Sequence, residues 1–142
     1  MKKQYKQSVC FFLSILFVFL SLTSCAAKKQ MEYYSVPENY ISVSGTVSHF
    51  VYDEALDAYY LAFDDMSVVL SDHNFKIVGE NASIVRKGGI QEKINIGDSV
   101  SFVTAPKYWG DGYVMPIVEI SVDGETLLEF DTGVSNLLKW LE

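Results

Sequence analysis

The sequence predicts a small, mainly β domain, a barrel or sandwich with one short C-terminal helix. Three observations carry that expectation. In Ile41-Ser42-Val43-Ser44-Gly45-Thr46-Val47, apolar residues or glycine alternate with hydroxylated ones, the period of two of a half-buried strand. Further apolar and aromatic runs recur at short intervals, separated by Asp-, Asn- and Gly-rich breaks. In the tail, Leu137, Leu138 and Leu141 stand at helical spacing, with Ser135 placed to cap the first turn.

The elements follow in order. Gly45 inside the first run points to a bulge or tight bend, and His49 falls on the inward register of that strand. Asp53-Glu54-Ala55-Leu56-Asp57 reads as a turn, and Ala58–Phe63 as its partner strand. Asp64-Asp65 breaks the run, and Ser67–Leu70 resumes it. Asp72-His73-Asn74 is turn material before a strand at Phe75–Val78. Residues 81–87 fit either a strand or a helical turn, and Gly88-Gly89 turns the chain again. Tyr113–Val122 and Thr126–Phe130 read as a hairpin about Asp123-Gly124, two residues that tolerate φ > 0.

Gly97-Asp98 feeds a strand with Val100 and Phe102 pointing inward. This pattern resembles small OB-like and SH3-like barrels. The OB-like barrel is the preferred topology.

Composition separates the chain into two parts. Residues 1–24 hold three of the 11 Lys/Arg and none of the 18 Asp/Glu, which leaves 8 against 18 and a formal charge of −10 for the rest. Nucleic-acid binding needs cations that displace counterions from phosphates, so this balance excludes a nucleic-acid partner. An anionic membrane surface would also repel such a domain, so any attachment has to come from something other than charge. Cys10 lies in the apolar N-terminal run, so removal of that run leaves Cys25 alone and allows no intrachain disulfide.

Lys2, Lys3 and Lys6 precede an almost wholly apolar run, Val9–Leu22, the layout of a secretory signal. Leu22-Thr23-Ser24-Cys25 follows. This tetrad resembles the lipobox of bacterial lipoproteins. The resemblance implies a cleaved signal peptide at 1–24, lipid on the Cys25 sulfur, and a mature protein on the cell membrane facing outside the cytoplasm. Two or three acyl chains, at about 0.8 kcal/mol per buried CH₂, give stable attachment where one does not. An uncleaved membrane helix and an ordinary signal peptide are the alternatives. Val9–Ala27 is near the lower length for a span, but Ser21, Thr23 and Ser24 crowd its end.

Residues 25–39 read as the lipid anchor and a tether, and 40–142 as the β domain. The stretch 26–39 shows no apolar period, and Pro37 discourages a helix. Fully extended it reaches roughly 45–50 Å.

No histidine or cysteine spacing suits zinc, and the acidic cluster Asp53, Glu54, Asp57, Asp64 and Asp65 lacks the order of a calcium loop. No serine sits in a nucleophile motif. No metal or cofactor is therefore expected. The distinctive stretch is Pro106–Pro116, which sets Tyr108, Trp109 and Tyr113 around Gly110-Asp111-Gly112. In an OB-like order it joins the fourth and fifth strands, a binding edge of that fold. Its rings can stack on sugars or grip a peptide, or they can fold back as core.

The expectation is a non-catalytic binding or accessory module, with an envelope component or a protein as partner. The alternative is a small envelope enzyme whose residues are dispersed in sequence.

Overall fold

A computed structural model describes residues 28–70, 72–107 and 114–142. The expected signal segment at 1–24 and Cys25 lie outside the described residues. The alternating run at Ile41 becomes β1 (Ile41–Asp53), the longest strand, which serves two neighbours. Its first half pairs antiparallel with β4 (Ser99–Thr104), and its second half with β2 (Ala58–Asp64). β3 (Asn74–Val78) joins β2, β5 (Met115–Val122) joins β4, and β6 (Glu125–Leu128) closes a hairpin on β5. The result is a six-stranded sheet in the order β3-β2-β1-β4-β5-β6.

β3 also meets β5 in parallel, so the sheet curls. Only two residue pairs make that ladder, against seven between β1 and β2. The fold is thus mainly β with a C-terminal helix, and not a clear barrel.

Gly45 shows why the sheet bends at β1. A side chain there would stand 3.0 Å from the Phe63 Cβ and 3.2 Å from the Asp64 carbonyl oxygen. A bulge follows between Val47 and His49. One extra residue inverts the side-chain alternation. Phe50 and Tyr52 therefore pack on the core, and His49 is exposed, contrary to its expected inward register.

The Asp123-Gly124 turn forms as the sequence implies, with φ of 52° and 79°. Residues 67–70 form no strand. Ser67 instead exchanges backbone and hydroxyl hydrogen bonds with Ser44, and Val69 stands 99% exposed.

The ambiguous stretch at 81–87 is helical: α2 runs Gly79–Lys87, followed by one turn, α3 (Ile90–Lys93). Ala82, Val85 and Ile90 cover the inner cluster of Val43, Val47, Tyr59, Leu61, Phe63, Phe75, Ile77 and Phe102. Phe63 and Phe102 stack there at 4.4 Å.

The terminal helix, α4 (Phe130–Leu141), starts five residues before the expected cap at Ser135, which lies inside it. Gly133 makes this possible. Its Cα rests so close to β5 that a Cβ would lie 1.7 Å from the Val118 carbonyl oxygen. The helix thereby buries Leu137 against Val118, Val78 and Ala58 on the outer side of the sheet. Each such fully buried side chain contributes about 1.5–3 kcal/mol.

Residues 28–34 are also helical, where an extended tether was expected; this is α1. It ends before Pro37, and its last carbonyls find partners beyond the proline. Asn39 Nδ2 donates to Tyr33 O (2.8 Å) and the Tyr40 hydroxyl to Tyr34 O (2.8 Å). Tyr34 is fully buried in the outer cluster with Val103 and Ala105.

Candidate functional site

Cys25 and the loop residues Tyr108, Trp109, Asp111 and Tyr113 lie outside the described residues. The loop's two supports are described, and they place it between the fourth and fifth strands. On one side the chain leaves β4 through Thr104, a buried residue whose hydroxyl donates to Pro116 O at 2.7 Å. That bond ties the start of the loop to its end across the ladder. Ala105 is buried, and Lys107 N donates back to Ala105 O at 2.7 Å, which turns the backbone sharply. On the far side Met115 and Pro116 re-enter the sheet beside Phe75 and Lys76 of β3.

α1 braces the same shoulder. The Tyr34 hydroxyl donates to Lys107 O at 3.0 Å, and the Lys107 ammonium sits 4.5 Å above the Tyr33 ring. Burial and the neighbouring Tyr40 and Tyr33 push the Tyr34 phenol well above its ordinary pKa, so it stays a donor across the physiological range. Burial also lowers the pKa of the Lys76 ammonium beside the loop's return. The loop is thus mounted on fixed backbone at both ends, as a contact surface requires.

A second feature lies on the outer face of β1, β4 and β5. Ser42, Ser44, Ser67, Ser101 and Glu119 line a shallow groove of about 310 Å³, floored by Val43, Phe102 and Val103. The register sets Ser44 opposite Ser101 and Ser101 opposite Ser121. Hydroxyls in this row donate and accept hydrogen bonds. Glu119 is the one ionisable side chain among these lining residues.

The third feature fixes the β1–β2 hairpin. Asp53 Oδ1 accepts from the Ala55 and Leu56 amides (2.9 and 3.2 Å), which shapes the turn. Asp57 accepts from the Tyr52 hydroxyl and from the Arg86 guanidinium of α2, both at 2.6 Å. Arg86 also donates to the Tyr52 hydroxyl. The Tyr52 bond, then the Arg86 bond, holds the Asp57 carboxyl below the usual carboxylate range. Behind them the Tyr59 hydroxyl is buried without a hydrogen-bond partner among the described residues. The acidic hairpin is thus clasped to α2 by an arginine. Among the described residues no group of three or more His, Cys, Asp or Glu side chains is arranged to hold a metal ion.

The histidines do not join these features. His73 is tied through Nδ1 to Phe63 O at 2.9 Å, and His49 lies on the opposite side of the sheet from the core. No protein-family model, curated protein or solved structure matches the chain.

Proposed function

We propose that the protein is a lipoprotein precursor, cleaved before Cys25 and held by lipid on that cysteine at the outer side of the cell membrane. Its domain acts there as a non-catalytic binding or accessory module. The observation that carries this reading is the order Lys2-Lys3-Lys6, then Val9–Leu22, then Leu22-Thr23-Ser24-Cys25. Small residues before the cysteine suit a peptidase cleft, and only a thiol forms the thioether. Among the described residues no helix is long and apolar enough to cross a membrane. Cys25→Ala is expected to move the protein out of the membrane fraction and to remove the mass of the acyl chains. Unchanged fractionation and unchanged mass would overturn the reading.

The finer fold reading supports the module. The pairing order β1-β2-β3-β5-β4, with two residue pairs joining β3 to β5, supports reading the curled sheet as a partly open, OB-like arrangement. In that fold the β1–β2 and β4–β5 loops are binding edges, and here the β4–β5 loop carries Tyr108, Trp109, Asp111 and Tyr113. Trp109 is the ring to remove first, because tryptophan is enriched among contacts whose loss costs about 2 kcal/mol or more. Trp109→Ala is expected to leave melting unchanged while abolishing binding to purified envelope or to a captured protein partner. A stability loss of about 3–5 kcal/mol would instead make the ring core and sink the loop as a contact surface.

A further inference from the structure

We infer that in the anchored protein the face carrying α1 and Lys107 lies against the lipid headgroups, while the β1–β2 hairpin is held away from them. The inference rests on the lipoprotein reading of Cys25. Lys28 follows Cys25 by three residues, so their Cα atoms are at most about 11 Å apart. Beyond Lys28 the chain is no longer a free leash. Tyr34 is fully buried, its hydroxyl donates to Lys107 O, and its own carbonyl accepts from Tyr40. A tether of some 45–50 Å would let the domain turn over freely. A link of about 11 Å to a docked helix does not, for a domain with a radius of gyration of about 13 Å.

The far end is set by α4. Phe130 at its start packs on Tyr40 at 5.3 Å, next to α1. Near its end Trp140 lies over Gly79, at the junction of β3 and α2. The intervening helix is about 16 Å long. Val78, just before that junction, pairs with Ala58 at the foot of the β1–β2 hairpin. The hairpin therefore projects from the end of the molecule opposite α1.

Charge points the same way. Lys28 and Lys29 are exposed on α1, and Lys107 sits over the Tyr33 ring; Glu32 and Glu38 are the nearby carboxylates. The hairpin end gathers Asp53, Glu54 and Asp57 against the single guanidinium of Arg86. An anionic headgroup layer attracts the first set and repels the second. Tyr33, with an apolar ring and a polar tip, suits the boundary between them.

The test uses the full chain, lipidated in cells, purified and placed in phosphatidylethanolamine–phosphatidylglycerol vesicles. Signal cleavage removes Cys10 and acylation blocks Cys25, so an introduced cysteine is the one free thiol. Glu32→Cys and Leu56→Cys, both at exposed positions, each receive a thiol-reactive fluorophore. Headgroup-labelled quencher lipid is expected to quench the label at position 32 several-fold more than the label at position 56. Intact mass separates the two ideas. A chain without lipid on Cys25 overturns the lipoprotein reading and this one with it. A lipidated chain quenched equally at both positions, or more at 56, overturns the orientation alone.

Discussion

Gly133→Ala is expected to destabilise the domain by about 3 kcal/mol or more, the upper end of what overpacking costs. The added methyl meets backbone, and backbone cannot swing aside as a flexible side chain can. Its carbon would stand 1.7 Å from Val118 O, 2.6 Å from the Val118 carbonyl carbon and 3.0 Å from its Cα. Either α4 lifts from the sheet or β5 bends, and either movement uncovers Leu137. It also strains a buried polar clasp. Asn81 of α2 donates to Gly133 O at 2.9 Å and accepts from Asn136 at 3.0 Å. Urea unfolding of Gly133→Ala beside Ser135→Ala, an exposed site on the same helix, gives the comparison. Equal midpoints for the two variants would mean that α4 does not sit on Val118 as described.

Tyr34→Ala carries the other large effect, about 3–5 kcal/mol for truncating a buried aromatic. Its consequence differs in kind, because it also frees α1. Lys28 and Lys29 should then become early sites of tryptic cleavage in the folded protein, since protease acts where local structure opens at low cost. Tyr34→Phe keeps the ring and loses the bond to Lys107 O, a change of about 1 kcal/mol. Wild-type melting and wild-type protease resistance in Tyr34→Ala would return residues 28–36 to the role of an unpacked tether.

The strands were legible in the sequence where one face is buried and the other wet, because burial then writes a period of two. Ile41–Val47 and Ser99–Phe102 show it, and the Asp123-Gly124 turn was legible from its φ > 0 residues. The bulge at Ser48 was not: nothing in Val47-Ser48-His49 distinguishes an extra residue from a regular one, so the alternation alone puts His49 on the inner face, whereas it is exposed. The apolar run Val68-Val69 looked like strand, but its backbone finds a partner only at Ser67. α2 was ambiguous because it is short and its core-facing positions include Asn81, a polar residue whose partners Gly133 and Asn136 lie more than 50 residues on. α1 was missed for a related reason. Its own sequence has no apolar stripe, and what holds it is Tyr34 reaching a carbonyl 73 residues away. Tyr33 and Tyr34 are the available signal, since two adjacent large rings in a tether, with Tyr40 just beyond it, are costly to leave in water. The position of the candidate loop between two strands was readable; its bracing by α1 was not.

β1 also decides the order of assembly. Its second half meets β2 a few residues later, but Ile41 waits for Thr104, about 60 residues further along the chain. The hairpin can therefore close early and locally, while the first half of β1 stays an unpaired edge until β4 has been made. A chain still emerging from the ribosome cannot complete this sheet, and closing so long a loop adds an entropic cost to the last step. Such a protein remains threadable for most of its synthesis. Its final fold is sealed only when the partners of both halves of its central strand are present at once.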